Sequence, residues 1–113
     1  MIEREKFGAV LRAAREHRGE SQDEVAARAG GIERAKIAQV ELGLNQASTA
    51  RVRDIIAAGW ALPRSVVDAL VEGRLDAGTA ALALNVPVEV VAGAVERGVA
   101  RGRGWAPLPS EAP

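Results

Sequence analysis

Between Ser21 and Gly43 the chain has room for two short helices and a tight break, and for little else. Ser21-Gln22-Asp23-Glu24 is an S-x-x-E capping box: the serine hydroxyl takes an orphan backbone amide and the glutamate reaches back to the serine amide. The helix it starts runs to about Ala29 and turns Val25, Ala26 and Ala29 inward. Gly30-Gly31 then breaks the chain. Another helix begins near Glu33, runs through Ile37 and Val40 to Leu42, and stops at Gly43.

The flanking sequence continues the pattern. Glu3 to about His17 places Phe7, Val10, Leu11 and Ala14 on one helical face, and Gly19 stops that helix. Leu44-Asn45-Gln46-Ala47 reads as a loop, and Ser48 or Thr49 caps a fourth helix that buries Val52, Ile55 and Ile56 and ends near Gly59. Pro63 suits the first turn of a fifth helix burying Val66, Val67, Leu70 and Val71, closed by Gly73. Five short helices with a tight break between the second and third predict a helix-turn-helix domain over residues 1–73. Ala26 is the small residue needed where the two helices cross, Gly30 or Gly31 gives the turn its freedom, and Ile32, Ile37 and Val40 anchor the inner face. Residues 74–100 form a smaller helical unit, with helices over Ala77–Leu84 and from Val88 to about Arg97 around the break at Asn85-Val86-Pro87. Residues 101–113, rich in Pro and Gly and without periodicity, read as a flexible tail. The fold class is therefore all-α, and with 23 Ala the core is built of small side chains.

Composition removes whole classes of function. There is no Cys and His17 is the only histidine, so a thiolate zinc site, a disulfide framework or a His-based catalytic dyad is not expected. No nucleophile–base pair stands out, so an enzyme is the least favoured class, and neither a cofactor nor a metal is called for. Tyr is absent and Phe occurs once, which disfavours a surface that stacks single-stranded bases. No apolar run is long enough to span a membrane, and the N-terminus is charged where a signal peptide needs an apolar core. A cytoplasmic protein with no membrane partner is expected. Fifteen basic residues balance fifteen acidic ones, which argues against strong non-specific binding to a polyanion.

Taken together, the FGAVLRAAREHRG lead-in, the SQDEVAARAG helix, the IAQVELG end of the third helix and the loop into a capped fourth helix resemble the phage-repressor, or Xre/Cro-type, helix-turn-helix family. The resemblance covers Phe7 to about Glu72. Two departures stand out: Gly30-Gly31 where the family usually has one glycine, and Leu42-Gly43-Leu44-Asn45 where it often has basic residues. The resemblance implies that the third helix enters the major groove of a double-stranded DNA operator. On its outward face Arg34 can fork onto guanine, Gln39 can pair with adenine, Glu33 can accept from cytosine, and Ala35 can touch a thymine methyl, with Lys36 beside them. It also implies phosphate contacts from Ser21 and Gln22 at the second helix start, and from Asn45, Gln46, Ser48 and Arg51 around the fourth. Gln22 is equally well suited to a purely capping role. Glu41 is expected to tie helices together, and Trp60 to fill the core.

The second unit carries Ala81, the Asn85-Val86 break and Val91 at helix-turn-helix spacing. It resembles, more weakly, the units of excisionase-like and actinobacteriophage immunity-repressor proteins. Arg97, Arg101 and Arg103 could make a second DNA contact there, but the outward positions are small and apolar. A helical hairpin that packs on the first domain, or joins two copies as a homodimer, is slightly preferred. Three functions follow: a transcription regulator of the phage-repressor type, an antitoxin whose C-terminal part covers a toxin partner, or a protein-interaction module that no longer reads DNA.

Overall fold

Side-chain caps set the helix starts that the sequence marks most clearly. In the computed structural model, which describes residues 1–43 and 49–104 (side chains only to residue 97), the Glu24 amide donates to Ser21 Oγ at 3.0 Å and the Ser21 amide donates to Glu24 Oε1 at 2.7 Å. The capping box is complete. Thr49, the second of the two expected candidates, takes the Val52 amide at 3.2 Å. Asp76 takes the Thr79 amide at 2.7 Å, and this bond holds its carboxyl below the usual aspartate range. Seven α-helices result among the described residues, with no strand: α1 (Phe7–His17), α2 (Gln22–Arg28), α3 (Arg34–Leu42), α4 (Ala50–Gly59), α5 (Arg64–Val71), α6 (Ala77–Leu84) and α7 (Val88–Gly104). A 3-10 turn at Arg4–Lys6 precedes α1, where the sequence suggested one continuous helix from Glu3. Pro63 caps α5 from outside rather than standing in its first turn.

The break between α2 and α3 uses both glycines. Gly30 and Gly31 have φ of 104° and 76°, and the Gly31 and Ile32 amides both donate to the Ala26 carbonyl. Two successive residues in this region would be costly for any side chain with a Cβ, so the doubled glycine is a backbone requirement.

α1 is the centre of the packing. Val10, Leu11 and Ala14 are fully buried, α3 crosses one side of the helix and α7 covers another. Trp60, fully buried after α4, donates its indole N–H to the Leu11 carbonyl at 2.9 Å. The C-terminal helices share this core: Ala80, Ala81, Leu84, Val91 and Ala94 join the same apolar cluster as Leu11 and Val67. The Ile2 amide donates to the Leu75 carbonyl, closing the N-terminus over the α5–α6 connection. Residues 74–97 are thus packed on the first five helices. One boundary moves. α7 continues to Gly104, so residues 101–104, read as tail, are helical. Glycine weakens a helix by about 1 kcal/mol, but only proline removes its amide donor, and the first proline after α7 begins is Pro107.

No single helix among the described residues is long and apolar enough to cross a membrane. α6 and α7 together have the composition, but they bend by 119° and bury one face each in the core.

Candidate nucleic-acid interface

The third helix is fixed from behind by a buried ion pair. Arg15 Nε donates to Glu41 Oε2 at 2.6 Å and Arg15 Nη2 to Glu41 Oε1 at 3.1 Å. The third donor of the fork, Nη1, reaches the Glu20 carbonyl at 2.9 Å. Glu41 is 5% exposed and Arg15 8%, so both charges are held out of water and must satisfy each other. The Glu41 carboxylate raises the Arg15 guanidinium above its ordinary range. Gln22, at the start of α2, donates its side-chain amide to Glu41 Oε1 at 3.0 Å. One carboxylate on α3 therefore holds α1 and α2 together, as Glu41 was expected to do. Gln22 does not cap with this amide, whose nitrogen carries a second hydrogen besides the one given to Glu41.

Gly8 lets α3 come this close. A Cβ there would lie 2.6 Å from both the Val40 and Glu41 carbonyl oxygens. Sequence reasoning passed over Gly8 and read Arg15 only as a cation suited to the last turn of α1. The signal was present, because Gly8, Leu11 and Arg15 stand at i, i+3 and i+7 on one stripe of α1. A glycine and an arginine on an apolar stripe call for a close helix crossing and a buried counter-charge.

With Ile37, Val40 and Glu41 turned inward, α3 presents its first turn outward. Glu33, Arg34, Ala35 and Lys36 are exposed and Gln39 is half-buried on the next turn. Glu33 is the N-cap residue but its carboxylate does not cap, leaving it free at the rim. Arg34 to Gln39 covers about 7.5 Å of helix at 1.5 Å per residue, close to two base-pair steps.

The expected phosphate ligands divide. Ser21 and Gln22 lie together at the start of α2, next to the Glu41 anchor. Arg51 is exposed near the start of α4 and lines a groove with Ala29, Ile32, Asp54 and Ile55, which brings it beside the turn that leads into α3. Asn45, Gln46 and Ser48 lie outside the described residues, as do the side chains of Arg101 and Arg103. Arg97 is exposed and folds back along α7, its guanidinium 3.1 Å from where a Cβ on Gly93 would stand. Glu89 and Glu96 are exposed on the same helix, so among the described residues Arg97 does not sit on a basic surface.

Ion pairing separates the basic residues into two groups. Lys6, Arg12, Arg15, Arg18, Arg28, Arg53, Arg64 and Arg74 are each paired with a carboxylate. Among the described residues Arg34, Lys36 and Arg51 have no such partner, and nor do Arg4 and Arg97. These pairs join eight basic residues to seven acidic ones, so the pairing singles out which cations stay unpaired without creating a basic surplus.

No protein-family model, curated protein or solved structure matches this chain.

Proposed function

We propose that the protein is a sequence-specific double-stranded DNA-binding regulator, acting as a phage-type repressor that occupies an operator and blocks transcription. The observation that carries this reading is the exposed first turn of α3, with Arg34 and Lys36 unpaired, on a helix anchored from behind by Glu41. A helix pre-positioned in this way loses little freedom on entering a groove, so its side chains can discriminate bases rather than merely adhere. Arg34 forks onto guanine and Gln39 pairs with adenine. Lys36 and Arg51 take phosphates, which set the register. The second amide hydrogen of Gln22 takes another phosphate while its partner hydrogen stays on Glu41.

The low net charge favours an operator-dependent binder with weak background affinity. Titrating an isotope-labelled chain with duplex DNA at low salt tests the assignment. Amide shifts are expected at residues 33–39, at Gln22 and at Arg51. Shifts confined to α6 and α7, or none at all, would remove the proposal.

A further inference from the structure

Gly19 and Glu20 connect α1 to α2, and they differ in how they are held. Gly19 has φ of 72° and open space where a Cβ would stand, so alone it would let the start of α2 swing. Glu20 is half-buried and bound at both ends. Its carboxylate accepts from Arg28 Nη2 at 2.9 Å and from Arg18 Nη2 at 3.3 Å. Each arginine is itself tied to a helix end. Arg28 Nε donates to the Gly59 carbonyl at 2.9 Å, and Arg18 Nη1 to the Leu84 carbonyl at 3.4 Å. Gly59 and Leu84 are the last residues of α4 and α6, where the final carbonyl has no partner inside its own helix and attracts a cation. One carboxylate is thus the common counter-charge of two arginines that close two other helices. The backbone of Glu20 is tied to Arg15: its amide donates to the Arg15 carbonyl at 3.0 Å, and its carbonyl accepts from Arg15 Nη1 at 2.9 Å.

We infer, on the strength of the DNA-binding reading above, that Glu20 is a positioning residue for the candidate interface. It fixes the connector against the ends of α4 and α6. The connector then sets where Ser21 and Gln22 stand at the start of α2 and keeps Arg15 aligned on Glu41. An ionised carboxylate only accepts hydrogen bonds, so Glu20 has nothing to give a phosphate. One residue before Ser21, its charge repels the DNA backbone. A direct electrostatic role and a positioning role therefore have opposite signs: without the charge, the first tightens binding and the second weakens it.

The test uses the full chain and a duplex that the native protein selects from a random library. Glu20→Gln removes the charge and keeps the size. It should bind the selected duplex about tenfold more weakly, the worth of one hydrogen bond to a charged group. Its affinity for a random-sequence duplex should hold or rise. Glu20→Asp keeps the charge but is too short to reach both arginines, and it should lose selectivity in the same direction. Partly exposed ion pairs add little to stability, so both variants should melt cooperatively within a few degrees of the native chain. In isotope-labelled Glu20→Gln without DNA, the Gln22 side-chain amide and the Arg15 Nε–H resonance should shift, although neither group bonds to the Glu20 carboxylate. A native chain that selects no sequence overturns the DNA reading and this inference with it. A selected duplex that Glu20→Gln binds as tightly as the native chain, or more tightly, overturns the inference alone, as do unmoved Gln22 and Arg15 resonances.

Discussion

Arg15→Met tests how α3 is held. The substitution keeps an unbranched apolar stem on the buried stripe of α1 and removes the three donors that reach Glu41 and the Glu20 carbonyl. Glu41 is then left 5% exposed with the Gln22 amide as its remaining side-chain donor. Breaking one side of a buried ion pair costs about 3–5 kcal/mol, mostly from the charge left behind. A chain of 113 residues has a total stability of roughly 6–17 kcal/mol, so the loss is a large fraction of the whole. Urea unfolding followed by circular dichroism reads it directly. The companion variant Arg15→Met/Glu41→Leu removes both charges and should recover most of the loss, because no buried charge then lacks a partner. The reasoning fails if Arg15→Met costs below about 1 kcal/mol, the worth of an exposed pair. It also fails if the double variant is as unstable as the two single changes added together.

Gly8→Ala should destabilise by about 1–3 kcal/mol, despite alanine's better helix propensity, because the new methyl meets two α3 carbonyls at 2.6 Å; an unchanged melting temperature would contradict the close crossing. Stability should be complete above about pH 5 and fall on acidification below about pH 4. Asp68 and Glu72 are held below their ordinary range chiefly by Arg53, and Asp76 by the Thr79 amide, so each favours the folded state only while ionised. Urea midpoints measured from pH 7 to pH 3 check this, and a midpoint that stays flat would count against it. Truncation after Gly73 should abolish the cooperative melt: Leu84 and Val91, both fully buried, contribute about 1.5–3 kcal/mol each, and α1 loses its cover. A truncated chain melting within a few degrees of the full one would show that residues 1–73 stand alone.

Local signals made much of this fold legible. Ser21 with Glu24, Gly43 and the Ala77–Leu84 helix follow from capping and glycine chemistry that acts within a few residues, and the structure places them where the sequence does. The inner face of α3 was equally readable, because Ile37 and Val40 stand at helical spacing. What escaped was long-range. Arg15 reads as a cation suited to a helix C-terminus until Glu41, 26 residues away, is seen beside it. Gly8 reads as a neutral position until α3 is laid against it. The end of α7 escaped for the opposite reason: Gly102 and Gly104 merge with the three prolines of residues 101–113 into one stretch without periodicity, although glycine only weakens a helix. For the candidate interface, the outward set Glu33 to Lys36 came from the family resemblance, whereas the pairing that leaves Arg34, Lys36 and Arg51 without a carboxylate partner is visible only in three dimensions.

The central claim is that α3 reads base sequence in duplex DNA. Selection of bound sites from a random duplex library, run in parallel with the full chain and with Arg34→Ala, tests it most directly. The account predicts one enriched motif for the native chain. In the variant, affinity for that motif should fall by about 1–3 kcal/mol and discrimination should relax at a guanine position. No enrichment with the native chain, or an identical motif bound equally well by Arg34→Ala, would contradict it.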